Sequence, residues 1–411
     1  MLTSSRLTVG FSNLGHTYTH LFTLLYPTVV LALEREFNRP YGELLTLALP
    51  GFILFGAGAV PAGWLSDRWS SKGMLAVFFF GLGGSAILTG LADSPWQIGA
   101  GLALLGLFAS IYHPVGIAML VSHATNRGRT LGFNGVFGSL GTAFAALVAG
   151  ALTDWISWRA AFIVPGILAA ATGVAFLLMA RGVRISTAAP KADNRDVEHS
   201  RAVMIRAMIV LIITLICTGL IYQVTSIAMP KIVADRVSDI SVSGALGVGG
   251  LVTVIYLSSG LAQVAGGYLA DRYPLKLVYL LAYLWQAPLY FVAAVLGGPA
   301  LLVASAALIS LNVAASPAET ILITHYSPAK WRATALGGKF AVALGVSALG
   351  VPAVALIYDH TGGFFWLFAG MGILAGVAAL AILFLPGRLR DRTGLVKPSA
   401  ASPLAAPSAG G

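Results

Sequence analysis

The sequence predicts an all-α membrane protein: twelve transmembrane helices in two six-helix bundles related by a pseudo-twofold axis. Three observations predict it. Of 411 residues, 57% are hydrophobic and only 10% are charged, where a soluble domain carries about 25% charged residues. The apolar residues gather into runs of the ~20 residues that a spanning helix needs. One charged stretch occurs twice, as Gly63-Trp-Leu-Ser-Asp67-Arg68-Trp-Ser-Ser-Lys72 and as Gly267-Tyr-Leu-Ala-Asp271-Arg272-Tyr-Pro-Leu-Lys276, 204 positions apart. Such a turn suits a chain whose backbone must leave lipid, turn in water and re-enter.

Taken in order, the apolar runs place spans 1 to 12 at about 7–33, 44–66, 73–92, 96–122, 130–152, 159–180, 204–230, 243–269, 276–297, 299–325, 332–357 and 363–386. The first run exceeds the ~7–15 residues of a signal h-region, so no cleavable signal is expected. The longest polar stretch between spans, 181–203, divides the chain into an N-terminal bundle (1–180) and a C-terminal bundle (204–386). The tail, 387–411, is rich in Ala, Ser, Pro and Gly and is expected to be disordered. Forty-eight glycines fit the class, because small residues let spanning helices approach closely. Cys217 is the single cysteine, which excludes an intramolecular disulfide.

The net charge of +10 could suggest nucleic acid, but its placement says otherwise. Alternate loops carry nineteen Lys and Arg on one side and five on the other, with Lys339 left inside a span. By the positive-inside rule, both termini and the central linker lie in the cytoplasm, in a multi-pass protein of the inner (plasma) membrane. The expected partners are the lipid bilayer, a small-molecule substrate and protons; a monomer is expected, and nucleic acid is not.

The internal repeat reaches beyond the charged turns. Asp154 and Asp359, Leu131-Gly132 and Leu336-Gly337, and Arg127 and Arg332 all keep an offset of 205, and Pro114 and Pro317 one of 203. Parallel six-span halves imply an axis along the membrane normal and a site near the midplane between them. Each of the two prolines frees a mid-helix carbonyl and is expected to bend its span.

Twelve spans in a six-plus-six arrangement, with Gly-x-x-x-Asp-Arg-x-x-x-Lys after spans 2 and 8, resemble the major facilitator superfamily across residues 7–386. Within it, three stretches resemble drug exporters of the fosmidomycin-resistance type: Gly15-His16-Thr-Tyr-Thr-His20 with Tyr26-Pro27, Tyr112-His113-Pro114, and Tyr358-Asp359-His360-Thr361. Two departures stand out. His20 replaces an Asp common in that family, and Val115 replaces a Glu after His-Pro. The resemblance implies export by proton antiport, with spans 1 and 4 lining the central cavity. It also implies that Asp67 and Asp271 accept from a neighbouring helix N-terminus and latch the cytoplasmic gate when the protein faces outward. Arg68, Arg272, Lys72 and Lys276 would supply ion-pair partners across that gate.

Ionisable groups within spans are functional hypotheses by default. His16 and His20 are i, i+4 and share one helix face. They lie ~14 and ~20 Å along the helix from Leu7, and His113 lies ~20 Å from Asn126, all roughly mid-membrane. Spans 1 and 4 line the cavity in proteins of this resemblance, which implies that the three imidazoles converge there, with Tyr112 a further candidate on that pathway. They either relay protons and bond substrate or stay neutral and hold helices together. A three-histidine metal site is a third reading, disfavoured because no other His, Asp or Cys cluster accompanies it, and no metal is assigned. Glu319 and Lys339 fall at matching depth on neighbouring spans, ~9 and ~10 Å from the same end. One unpaired buried charge is very costly, so the two are expected to pair. The pair is either permanent or opens for an anionic substrate group or a proton. Asn13, Tyr18, Asn134, Tyr222, Gln223, Tyr256, Gln263 and Asn312 are further polar candidates, each more simply a helix-packing bond.

No P-loop, His-Glu-x-x-His or Gly-x-Ser-x-Gly motif appears, so neither an ATP-driven pump nor an enzyme is indicated, and no cofactor is expected. The function expected is secondary active transport by alternating access, as proton-coupled efflux of a drug or metabolite. The alternative is uptake or facilitated exchange of an organic anion without protons.

Overall fold

A computed structural model describes residues 4–122, 127–181, 199–237, 244–328, 335, 338–339, 342–343, 345–346 and 348–387. Most of the 181–203 linker and the tail beyond Gly387 lie outside the described residues. Among the described residues the regular structure is helical throughout, with no strand. Ten helices are long and apolar enough to cross a membrane, corresponding to spans 2 to 10 and span 12. Span 1 is a 34-residue helix, Ser4–Phe37. It carries Asn13, His16, Tyr18 and His20, and this polarity holds its hydropathy below that of the other ten. Span 11 is described continuously only as Gly350–Thr361.

Several helices outrun their apolar stretches. Span 7 runs Arg201–Arg236 and span 8 Gly244–Arg272. Backbone hydrogen bonding propagates past the edge of the apolar stretch, so hydropathy marks the lipid boundary and not the helix end. The two matched prolines act differently. Span 4 breaks into Pro95–Ala109 and Tyr112–Ser122, with Pro114 in the first turn of the second piece. Pro there lacks the N–H that would bond back across the break. Span 10, Gly298–Tyr326, runs through Pro317 as one helix.

Packing repeats between the halves. Span 3 lies on span 6 as span 9 lies on span 12, span 2 on span 4 as span 8 on span 10, and span 1 on span 5 as span 7 on span 11. The halves meet along spans 5 and 8, and along spans 2 and 11, two contacts that the repeat interchanges. Large apolar side chains such as Leu168, Trp285 and Leu380 remain more than half exposed. In a chain of spanning helices, that outer surface is lipid-facing.

Candidate functional site

A cavity of about 300 Å³ lies between the halves, with His16, His20 and His113 on its N-terminal wall and Glu319 and Lys339 on its C-terminal wall. Both walls are built from spans that the repeat relates, yet their polar chemistry differs.

On the N-terminal wall, the His16 Nδ1–H donates to the carbonyl of Asn134 at 2.8 Å. That bond assigns the hydrogen to Nδ1 and leaves Nε2 with a lone pair. His16 Nε2 lies 3.2 Å from His20 Nε2. The His16 ring stacks on Tyr112 at 5.1 Å, and His113 meets both other imidazoles edge-on, at 5.5 and 5.7 Å between centroids. Gly138 makes the room: a Cβ there would stand 2.6 Å from the His16 ring. Behind the rings, the Asn134 amide donates to Asn13 Oδ1 and to the Tyr112 hydroxyl, both at 2.9 Å. Asn13 and Asn134 are buried, so they act as helix-packing groups that fix the wall. Val115, where the resembled exporters tend to carry Glu, is fully buried among apolar neighbours.

On the C-terminal wall, Lys339 Nζ pairs with Glu319 Oε1 at 2.8 Å, and both side chains are nearly buried. The other carboxylate oxygen accepts from the Tyr279 hydroxyl at 2.8 Å and from Thr218 at 3.4 Å. Lys339 also donates to Thr320 at 2.8 Å. The pairing expected from depth alone is present, and Tyr279 and Thr218 are partners that spacing did not reveal. Of the remaining polar candidates, Gln263 accepts from Ser139 at 3.1 Å and Tyr222 bonds Thr142 at 3.2 Å, each across the two halves. Tyr256 donates to Ser226 within the C-terminal half.

The repeated turns lie at the basic end of the molecule. Gly63 and Gly267 precede them near the ends of spans 2 and 8. Asp67 and Asp271 are exposed there, with no hydrogen bond or ion pair among the described residues. Arg68 lies over Trp64 at 4.2 Å, and Arg272 over Tyr268 at 5.6 Å, four residues back on its own helix. Lys72 donates to the carbonyl of Ala180. Its repeat-mate Lys276 donates to the carbonyls of Leu383, Leu385 and Gly387 at 3.0, 2.7 and 3.2 Å. Both lysines therefore cap the last helix of their own half, where unsatisfied carbonyls and the helix dipole favour a cation. In this conformation neither lysine crosses between the halves.

In this conformation carboxylate-to-helix contacts join the halves at the opposite end. Asp154, ending span 5, accepts from the backbone N–H groups of Ala245 and Leu246 at 3.2 and 2.7 Å. Asp359, ending span 11, accepts from Gly42 N–H at 3.1 Å. Each caps the first turn of a helix in the other half, and the repeat interchanges the two latches. Gly244 enters span 8 at φ +78°, a backbone that favours glycine, with its α-carbon against the Asp154 carboxylate. Lys231 adds an ion pair to Glu34 at 3.0 Å, and Tyr358 donates to Asp235 at 2.6 Å. In sequence, Asp154 and Asp359 stand out as repeat-mates, and Asp359 also within a stretch that resembles the exporters, whereas Glu34 and Asp235 carry no such signal. The usable signal was that an Asp recurs at the end of the span preceding each loop. Among the described residues, every hydrogen bond between the halves lies at or beyond the level of Ser139 and Gln263, on the side of this latch.

The sequence matches the Major Facilitator Superfamily over residues 17–256 and again over 211–408. The fold is similar to that of a bacterial homologue of the human lysosomal transporter Spinster in an inward-facing, unoccupied conformation, with a TM-score of 0.73 at 14% identity over 94% of this chain and 95% of that one. It is also similar to a mutant of the peptide transporter POT in complex with sulfate, with a TM-score of 0.74 at 15% identity over 92% and 93% of the two chains. At such identities the likeness concerns the fold alone. In sequence, the chain is 31% identical over 117 residues to a puromycin resistance protein of Streptomyces alboniger, spanning 28% of this chain and 22% of that protein. It is 32% identical over 159 residues to a probable 4-methylmuconolactone transporter of Cupriavidus pinatubonensis, 36% of each. Each of these matches spans only a minority of the relative's own length. The two family matches together cover nearly the whole sequence, and the chain belongs to the Major Facilitator Superfamily, a family of membrane transporters rather than enzymes.

Proposed function

We propose that the chain is a secondary transporter that exports a small molecule by alternating access, driven by protons entering in exchange. One observation carries this reading: the buried Glu319–Lys339 pair faces a cavity between two repeat-related halves. An ion pair in that position holds two charges that can be used separately. The pair opens either when an anionic substrate group takes Lys339 or when Glu319 takes a proton, the Tyr279 and Thr218 hydroxyls still bonding the carboxyl. In an exchanger the two events exclude one another, so substrate leaves in one half of the cycle and the proton enters in the other. The motifs shared with fosmidomycin-resistance exporters and the likeness to a puromycin resistance protein support outward transport.

In this reading the basic face lies in the cytoplasm of the plasma membrane, the protein works as a monomer, and the conformation described is open towards that face. Asp67 and Asp271 become latches only when the opposite face opens.

A second reading is favoured by Lys339 and by the likeness to a lactone transporter: uptake or exchange of an organic anion without protons. Proteoliposome flux of puromycin and of 4-methylmuconolactone under an imposed pH gradient separates the two. Export predicts flux that reverses with the gradient and is lost in Glu319→Gln. Flux indifferent to the gradient in both directions would overturn proton coupling and leave anion exchange.

A further inference from the structure

We propose that His16, His20 and His113 form a binding site for one divalent late transition-metal ion, of the Zn²⁺ class, on the N-terminal wall of the cavity. Each residue offers one ring nitrogen, and the three nitrogens lie within 4.8 Å of one another. Two of them are already spaced as ligands. His16 Nε2 and His20 Nε2 stand 3.2 Å apart, and two imidazole nitrogens at ~2.0–2.1 Å from a tetrahedral Zn²⁺ stand about 3.3 Å apart. His113 completes the set from the start of the second helix of span 4, just after the break at Ser110 and Ile111, where a small rotation can draw it in.

The outer shell is also in place. A metal-bound imidazole donates its other ring N–H to a carbonyl or carboxylate, which fixes its tautomer and its direction. The bond from His16 Nδ1 to the Asn134 carbonyl does this, and the Tyr112 stack and the space left by Gly138 hold the ring in position. The donor set selects the ion. Three neutral imidazoles suit Zn²⁺, Co²⁺ and Ni²⁺, whereas Mg²⁺ and Ca²⁺ favour carboxylate-rich oxygen sets, and among the described residues this wall carries no carboxylate. All three residues line the cavity, so a fourth position faces it. Water or an anionic substrate group would fill that position. The carboxylate on the facing wall, Glu319, is held by Lys339.

Metal binding to the full-length chain, purified in detergent with a histidine-free tag, tests this without measuring transport, so it stands apart from the outcome of the flux experiment. Zn²⁺ titration is expected to give one ion per chain, and Co²⁺ the visible spectrum of a tetrahedral site. His16→Ala, His20→Ala and His113→Ala should each weaken binding tenfold or more. His199→Ala with His325→Ala, which removes the pair with Nε2 atoms 3.2 Å apart in the C-terminal half, should leave it unchanged. X-ray absorption of the Zn²⁺-loaded native chain needs no variant and should count three imidazoles at one metal. Absent stoichiometric binding, two or fewer imidazoles, or binding lost only in the His199/His325 variant would each overturn the proposal.

Discussion

The two halves carry the same scaffold and different chemistry. Lys72 and Lys276 cap the same helix in each half, and Asp154 and Asp359 latch the same helix of the other half. At the cavity the correspondence ends: the N-terminal wall presents three imidazoles, and the C-terminal wall presents one carboxylate and one ammonium. Scaffold bonds depend on helix ends, which a duplication copies intact. The polar groups of the cavity walls are not helix ends, so nothing in the copied scaffold holds them alike.

The largest effect should come from the C-terminal wall. Lys339→Ala leaves Glu319 buried without its cation and should abolish flux and cost about 3–5 kcal/mol of stability. The double replacement Lys339→Ala with Glu319→Ala should recover most of the lost stability in thermal unfolding while remaining inactive. Equal stability loss in the two variants would mean that the pair is not the coupled unit described here.

A smaller and asymmetric effect should separate the helix caps. Lys276→Met removes a cation held by three carbonyls and should cost about 2 kcal/mol. Lys72→Met removes one such bond and should cost about 1 kcal/mol or less. A reversed order in thermal unfolding would break the assignment of these lysines as matched caps.

The latches come next. Asp154→Asn and Asp359→Asn should each weaken closure of the end opposite the repeated turns by about 1 kcal/mol, with Asp154 the stronger because it caps two N–H groups rather than one. A Ser139→Cys reporter in a Cys217→Ser background should then react faster with a membrane-impermeant thiol reagent added at that end. Unchanged labelling in both variants would show that the latches do not govern opening.

The smallest effect on stability belongs to Asp67→Asn, within about 0.5 kcal/mol for an exposed side chain without partners in this conformation. Flux should nevertheless slow, because in the proposed cycle that carboxylate works only in the other conformation. Native turnover would reduce the first turn to a topological marker.

Much of this was legible without coordinates. Twelve spans, the break into halves and the duplication follow from apolar runs and constant offsets. The burial of Glu319 and Lys339 at equal depth followed from rise per residue, and the need to pair followed from the energy of an isolated charge. Distances around a helix axis were not legible. That is why Tyr279 and Thr218 beside Glu319, and Asn134 behind His16, went unseen. The resemblance implied a gate role for Lys72 and Lys276, and it carried no sign of the carbonyls that hold them here, at the ends of spans 6 and 12, more than a hundred residues away.

By itself, the sequence determined the membrane class, the six-plus-six duplication and which end is basic, because hydropathy, repeat spacing and charge are properties of residues in order. Only the tertiary structure decided which carboxylates are engaged. It left Asp67 and Asp271 exposed and set Asp154 and Asp359 against helix N-termini of the opposite half. It also brought His16, His20 and His113 within ligand distance of one another. These outcomes depend on how one half is rotated against the other and on how span 4 breaks before Pro114, and no linear pattern records either.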